Sequence, residues 1–224
     1  MIAVVLALVA CRPPPPAGAP SATVPLVGQI SLSVDRTAGR ANLRIHSMNR
    51  AMRPPPAERQ GVPLDTCRTV VPTSYAEGVV LAPRPVAARC GGTPLTLEEP
   101  ATGVFQHSFD RLPPPGTRCE VDFDGVTIPL PPLPEAPDLR VTVAGLRWTP
   151  AGGDELRYVI PMTDLESTIC RLSDDGEAPA PPGARTQLAF VTRHQLALVP
   201  LPEQDARVAV SVTAGVWHTP TQPR

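Results

Sequence analysis

The thiols are the residues of this chain with the most distinctive chemistry. A cysteine can be lipidated, oxidised to a disulfide or bound to a soft metal, depending on its compartment and its neighbours. The 224 residues include five cysteines. Cys11 ends an apolar segment at the start of the chain, whereas the other four lie between residues 67 and 170. The two groups therefore predict different chemistry.

Cys11 follows an uncharged apolar run, Met1 to Ala10. As a helix this run would reach about 15 Å, which is half of what a bilayer core requires, so it is too short to span a membrane. Its length is typical of the hydrophobic part of a secretory signal. The quartet Leu8-Val9-Ala10-Cys11 resembles a bacterial lipobox, in which the thiol forms a thioether with diacylglycerol and the chain is cut before the cysteine. We therefore predict a signal peptide over 1–10 and lipidation of Cys11.

The segment after the cysteine is typical of a tether. Residues 11–23 are rich in Pro, Ala and Gly and predict a semi-rigid spacer of about 30–40 Å. The proline run argues against the alternative, a buried strand that happens to precede a cysteine. No basic residue precedes the apolar run, so we expect the signal peptide to be truncated at its N-terminus. Because Arg12 is not Asp, resemblance to the sorting rule of enterobacterial lipoproteins implies the outer membrane.

Composition excludes several partners and reactions. The net charge is −1, with acidic and basic residues interspersed, which predicts that the chain does not bind nucleic acid. All twenty cationic residues are arginine, so Schiff-base and P-loop chemistry, which need lysine, are excluded. Two Trp, two Tyr and four Phe are too few for a stacking platform that binds single strands or glycans.

No established catalytic motif occurs in the chain. Gly-x-Ser-x-Gly, His-Glu-x-x-His and Gly-rich phosphate loops are all absent from the sequence. His107 and His194 lie in predicted strands and His218 lies near the C-terminus, each without a carboxylate or nucleophile beside it in sequence. We therefore predict a protein that is not an enzyme and holds no cofactor. The alternative is a hydrolase whose triad assembles only in space.

The four later cysteines predict disulfides, because an even count in an exported chain usually means paired thiols. They are Cys67, Cys90, Cys119 and Cys170. Three pairings are possible, and the sequence does not choose among them. Given the domain boundary predicted below, a full pairing includes one bridge between domains. The alternative leaves Cys170 free and buried as a small hydrophobic residue.

His46, Met48 and Met52 are soft ligands at close spacing and form a weak candidate for a copper site, since thioethers select Cu(I). Methionines that fill gaps in a core are the favoured interpretation.

Two acidic segments could hold a hard cation. Asp122-Phe123-Asp124-Gly125 matches half of a calcium loop but lacks the distal Glu, so a hairpin turn is favoured. Asp174-Asp175-Gly176, with Glu177 and either Asp164 or Glu166, could bind a cation, but a solvated turn is again favoured.

Prolines indicate the fold class. The 32 prolines cluster between short apolar runs and leave little room for helices. Alternating hydrophobicity over 30–34 and 42–46 predicts a hairpin, and a second hairpin is predicted over 119–130 with Asp124-Gly125 at its turn. These elements predict an N-terminal β domain over 24–134.

A second alternating series follows a proline-rich linker at 129–137. Strands are predicted over 139–143, 156–160, 168–172, 187–192, 196–201 and 206–213. Their spacing near ten residues predicts a C-terminal Ig-like or fibronectin III-like sandwich over 138–218, with Trp148 and Trp217 as core or end-plug residues. The predicted fold class is all-β, with two small β-sandwich-like domains.

The order of these features resembles the uncharacterised lipoproteins that are abundant in myxobacterial-type genomes. The resemblance rests on the lipobox, the spacer, the turn and hairpin at 115–125, Leu146-Arg147-Trp148 and the segment from Cys170 to Gly176. It covers most of the chain through loose motifs and implies no activity. We therefore predict an outer-membrane-anchored lipoprotein, bound to the membrane through its lipid. It would act as a non-catalytic structural or interaction module toward an envelope protein or surface ligand. The alternative is an envelope lipoprotein that binds a small ligand or copper.

Overall fold

A computed structural model describes residues 26–48, 62–70, 84–142, 144–163, 166–201 and 206–220. These residues form strands, turns and irregular segments without a helix, so the predicted all-β fold class is confirmed. Correspondingly, the described part of the chain has no helix long and apolar enough to cross a bilayer. Cys11, the spacer and Met52 lie outside the described residues.

Sixteen strands follow one another in the described residues. They are β1 (Leu26–Asp35), β2 (Arg40–Ser47), β3 (Thr66–Val70), β4 (Val86–Cys90), β5 (Thr93–Pro94), β6 (Glu98–Ala101), β7 (Val104–Ser108), β8 (Cys119–Phe123), β9 (Val126–Pro129), β10 (Arg140–Val141), β11 (Leu146–Arg147), β12 (Glu155–Pro161), β13 (Ser167–Leu172), β14 (Glu177–Ala178), β15 (Ala189–Leu201) and β16 (Ala206–His218). Both predicted hairpins are present, as β1–β2 and β8–β9.

Half of these strands form one large sheet in the order β13-β12-β15-β16-β1-β2-β7-β6. Its neighbours are antiparallel except for β1 and β16, which run parallel from Leu26 beside Arg207 to Asp35 beside Gly215. The predicted ranges 24–134 and 138–218 each contribute four strands to it. The proline-rich segment at 129–137 therefore connects two parts of one continuous sheet.

Two smaller sheets cover one face of the large sheet, and each encloses a hydrophobic core. The sheet β5-β4-β8-β9 packs Val121, Phe123 and Ile128 against apolar side chains of β1, β2 and β16. The sheet β10-β11-β14 packs Leu146 against β12, β13 and the first part of β15. The described residues thus form two sandwich-like halves, and the large sheet is one layer of both. We call the covered side the inner face and the opposite side the outer face.

The strand β15 differs from the prediction of two strands over 187–192 and 196–201. A single ladder with β16 runs from Ala189 beside His218 to Leu201 beside Ala206. The polar residues 193–195 predicted an interruption between two strands, but they lie within the ladder. Arg193 points to the inner face and is paired with Asp174, whereas His194 lies on the outer face. Tertiary pairing of these polar side chains therefore allows one long strand.

All four later cysteines are paired. Cys67 is bonded to Cys170, and Cys90 is bonded to Cys119 directly across the β4–β8 ladder. The first bond links residues 103 positions apart and connects the two predicted ranges. Cys170 is therefore buried, but it is not free.

Candidate functional site

The outer face carries a buried polar cluster where β12, β13 and β15 lie side by side. Glu155 lies opposite His194 in the ladder, and Arg157 lies opposite both Thr192 and Arg171. Strand alternation therefore places all five side chains on the same face. We call these residues the outer-face cluster.

Glu155 is the centre of this cluster. Arg157 Nε donates to one of its carboxylate oxygens at 2.6 Å, and Arg171 Nε donates to the other at 2.7 Å, with a second bond from Arg171 Nη2. Burial by itself would raise the pKa of Glu155, but the bond from Arg171 and the charge of Arg157 outweigh burial and lower it. The carboxylate is therefore ionised and fully engaged at neutral pH.

His194 is buried beside this carboxylate, at 8% exposure. Its Nε2 shares a hydrogen bond of 2.6 Å with Thr192 Oγ1, whereas Nδ1 has no hydrogen-bond partner among the described residues. Burial, reinforced by the charges of Arg157 and Arg171 against the opposing charge of Glu155, lowers the pKa of His194 to about 4. The imidazole is therefore neutral at pH 7.

The contact between Thr192 and His194 has the form of two members of a catalytic triad. A triad needs a third group that orients the imidazole through its other nitrogen. Glu155 is near enough to act on the charge of His194, but its oxygens accept from the two arginines and not from Nδ1. In the described residues, this cluster therefore lacks the arrangement that activates a hydroxyl nucleophile.

A second polar group lies on the inner face, between the two cores. Asp174 accepts from Trp148 Nε1 at 3.0 Å and from the Gly153 N–H at 2.8 Å, and its Oδ2 lies 3.0 Å from Arg193 Nε. That last contact is an ion pair, and the hydrogen bond between the two side chains runs from Arg193 Nη2 to Asp174 Oδ1 at 3.3 Å. Arg193 also donates to the carbonyls of Glu135 and Thr149. The favoured prediction of a solvated turn at 174–177 therefore does not hold for Asp174, whose carboxylate is buried in an ion pair and is not available to the cation of the alternative prediction.

Those of the remaining cation candidates that the structure describes do not come together. Asp164 lies outside the described residues, and the Glu166 carbonyl closes a turn by accepting from Met162 and Thr163. Asp124 and Gly125 form the hairpin turn, with positive φ at both residues, and Asp124 pairs with Arg84. In the part of the chain that the structure describes, no three His, Cys, Asp or Glu side chains are grouped to hold a metal.

The weak copper candidates are only partly described. His46 lies on the outer face of β2, and its buried Nε2 has no partner among the described residues. Burial, followed by the charge of Arg44, lowers the pKa of His46. Met48 is buried at the end of the strand, and Met52 lies outside the described residues.

The two tryptophans have different environments. Trp148 is buried in the second core, as predicted. Trp217 is not a core residue, because it is 37% exposed on the outer face. Its ring lies 5.0 Å from that of Phe190, and its Nε1 donates to Asp35. The backbone of β16 continues to this residue beside β15, which places the ring at the end of the sheet.

A short segment before β3 is attached to the edge of β13. Leu64 forms a parallel bridge with Arg171, and Arg171 Nη1 donates to the Val62 carbonyl at 2.8 Å. Asp65 accepts from the N–H and the hydroxyl of Ser173. Together with the bond from Cys67, these contacts fix residues 62–67 against the outer-face cluster.

Sequence reasoning did not identify Glu155, Arg171 or Arg193 as parts of polar groups. The sequence did contain one signal for Arg193. In the alternating pattern of β15 it occupies an inward-facing position, in line with Val191 and Ala197, where apolar residues are expected. A charged residue on a buried phase requires a partner. Asp174 could not be named as that partner, since the pairing depends on the turn that follows β13.

Comparisons of the chain with protein-family models, with curated proteins and with solved structures found no match.

Proposed function

We propose that this protein is an outer-membrane lipoprotein, anchored through Cys11, that acts as a non-catalytic structural or interaction module of the cell envelope. The observation that carries the proposal is the pairing of all four later cysteines into two disulfides. Disulfides persist in oxidising compartments outside the cytosol. They support export, and the quartet Leu8-Val9-Ala10-Cys11 supplies the corresponding signal and the thiol for an anchor.

A non-catalytic role is supported by the state of the titratable groups. Glu155 and Asp174 are both saturated by arginine or backbone donors, which leaves neither carboxylate available as a general base. The most nearly catalytic pair, Thr192 and His194, lacks an orienting group at Nδ1 among the described residues. On the outer face, β1 and β2 expose Gln29, Ser33, Arg40, Asn42 and Arg44, a polar surface that suits recognition.

The anchor is tested by Cys11→Ser in the full-length protein, produced in a bacterium that processes lipoproteins. The variant should leave the membrane fraction and lose labelling by radioactive palmitate. Ser21→Ala, in the same spacer, is the matched control and should behave like the wild type. A Cys11→Ser protein that remains in the membrane fraction, beside an unlabelled wild type, would refute the proposal.

The side of the membrane decides which partners are accessible. Proteinase added to intact cells should digest a protein on the outer surface and leave a periplasmic protein intact until lysis. The first result directs the search for a partner to surface ligands, and the second directs it to envelope proteins.

A second candidate function is copper binding, favoured by the buried Nε2 of His46 without a described partner. Titration of the full-length protein with Cu(I) should then give one equivalent bound, lost in the double variant Met48→Ala, Met52→Ala. Absence of stoichiometric copper would exclude this candidate and leave the interaction role unaffected.

A further inference from the structure

The outer face has a shallow trough along the parallel pair β1 and β16. The middle of its floor consists of small hydroxyl side chains, because the cross-strand register places Ser31 beside Ser211 and Ser33 beside Thr213. Ser31, Ser211 and Thr213 are half-buried, although they point away from both cores. Small side chains become recessed in this way when longer neighbours stand on both sides of them. From Gln29 to Asp35 the floor is about 20 Å long.

The two walls of the trough differ in chemistry. On one side β2 presents Arg40, Asn42 and Arg44, all exposed. On the other side β15 presents Leu196 and Leu198, the latter 62% exposed. Beside Thr213 and Gly215 the same wall continues as the buried His194 and Thr192 of the outer-face cluster. The ladder positions confirm the common face, because Ser31 lies opposite Arg44, and Ser211 lies opposite Leu196.

The charge of this surface is unbalanced. Across β1, β2, β15 and β16 the sequence contains one carboxylate, Asp35. Its oxygens accept from the N–H groups of Thr37 and Ala38 and from Trp217 Nε1, and it makes no ion pair with Arg40, its cross-strand neighbour. Among the described residues, Arg40 and Arg44 have no carboxylate within ion-pair distance. The trough is therefore complementary to an anion.

The pattern of donors favours a saccharide over a peptide. Both floor strands are paired on each side within the sheet, so they have no free backbone edge to which an extended peptide could add as a strand. What the floor offers is hydroxyl groups: those of Ser31 and Ser33 donate to the carbonyls of Arg44 and Asn42, at 3.4 and 3.5 Å, which leaves their oxygens as acceptors. The Asn42 amide oxygen accepts from Ser108, so its amide nitrogen remains as a donor at the wall. Acceptors and donors side by side suit sugar hydroxyls, which both donate and accept. The exposed ring of Trp217 lies beyond Gly215 at one end of the trough, where it can pack on the apolar face of one sugar. A single ring is not the stacking platform that the composition excludes, so recognition rests mainly on the arginines and the polar floor.

We infer that this trough binds a carboxylated glycan, with Arg40 and Arg44 pairing its carboxylates, the serines and Thr213 bonding its hydroxyls, and Trp217 packing on one sugar ring. Arginine suits this role because its planar guanidinium binds a carboxylate through two parallel bonds. The inference deepens the interaction role proposed above, on which it rests, by naming the class of ligand.

The test measures binding of the full-length protein to oligogalacturonate by isothermal titration calorimetry, with the methyl ester of the same oligomer as the neutral probe. The acid should bind and the ester should not. The double variant Arg40→Gln, Arg44→Gln should bind the acid about 100-fold more weakly, about tenfold per arginine. Trp217→Phe, which retains an aromatic ring, should bind within a fewfold of the wild type.

Arg111→Gln with Arg147→Gln is the matched control, since it removes the same charge from exposed positions off the trough. It should bind like the wild type. No binding of the acid, or an equal loss in the control, would overturn the inference. Equally tight binding of polyglutamate, lost in the same Arg40, Arg44 variant, would also overturn it in favour of an acidic peptide. Because the Cys11→Ser assay reads membrane association and this assay reads saccharide binding, either proposal can fail alone.

Discussion

Arg193 and Asp174 form an ion pair buried between the two hydrophobic cores, with each side chain 2% exposed. Around them, Trp148 Nε1 and the Gly153 N–H donate to the carboxylate, and two backbone carbonyls accept from the guanidinium. Desolvation of two charges is compensated only when their remaining hydrogen-bonding capacity is used in this way. The pair therefore links the linker carbonyl at Glu135, the loop before β12 and the middle of β15.

The first prediction concerns this pair. Asp174→Ala leaves a buried guanidinium without its counter-charge and the Trp148 N–H without its acceptor. We expect a loss of about 3–5 kcal/mol in the free energy of unfolding, measured by urea denaturation.

Two controls accompany Asp174→Ala. The double variant Asp174→Leu, Arg193→Met should recover part of the loss, because apolar replacement removes the desolvation penalty together with the pair. Arg89→Ala breaks an exposed pair with Glu120 and should leave the denaturation midpoint unchanged. A midpoint for Asp174→Ala as high as that of Arg89→Ala would contradict the structural role assigned to the buried pair.

The second prediction concerns pH. Because burial lowers the pKa of His194 from its ordinary 6.5 to about 4, the unfolded chain binds a proton in this interval and the folded chain does not. The contribution of His194 to stability is therefore complete above pH 6.5 and falls as the pH decreases toward 4, by about 1.4 kcal/mol per pH unit.

His194→Gln should remove this contribution while keeping a partner for Thr192. The measurement is the denaturation midpoint at a series of pH values from 4 to 8, and the difference between wild type and variant isolates the His194 contribution from those of other histidines. Parallel curves for the two proteins over this range would show that His194 is not a buried neutral imidazole.

The buried Arg193–Asp174 pair and the outer-face cluster show which features the sequence could predict and which it could not. The alternation of apolar and polar residues predicted the positions of β1, β2, β8, β9 and β12 closely. Each of these strands has one buried and one solvated face, so successive residues differ in polarity. The buried polar pairs depend on strand pairing between distant segments. Glu155 meets Arg171 only because β12 lies beside β13.

The sequence could not predict that both halves share one sheet, because this too depends on pairing between distant strands. The pattern of β1 suits pairing with any strand of similar length, and the proline-rich segment at 129–137 reads as a separator. The structure instead places β16 beside β1 after an interval of more than 150 residues. Local patterns identified the strands, whereas the order of strands within the sheet is a property of the whole chain.

The third prediction compares the two disulfides. Cys67–Cys170 closes a separation of 103 residues and Cys90–Cys119 one of 29. In the chain-entropy account the longer loop restricts the unfolded state more, so removal of Cys67–Cys170 should be about 1 kcal/mol more destabilising. Paired Cys→Ala variants of each bond, compared by urea denaturation, measure the difference. The account fails if loss of the Cys90–Cys119 bond is the more destabilising.

The fourth prediction concerns the close packing of β1 against the covering sheet. A Cβ at Gly28 would lie 2.7 Å from Phe123 Cζ, and Phe123 is fully buried. Gly28→Ala should therefore force the ring to shift and destabilise the protein by about 1–3 kcal/mol. Ser33→Ala, on the outer face of the same strand, is the control and should be nearly neutral. Thermal unfolding that gives equal midpoints for both variants would contradict this packing.

We propose above that the chain is exported and lipid-anchored and carries two disulfides, and mass spectrometry of the protein isolated from membranes tests this proposal most directly. Peptides prepared without reduction should show an acylated Cys11 at the mature N-terminus. They should also show Cys67 joined to Cys170 and Cys90 joined to Cys119. An N-terminal peptide that retains residues 1–10 without lipid, or free thiols at the four later cysteines, would contradict the account.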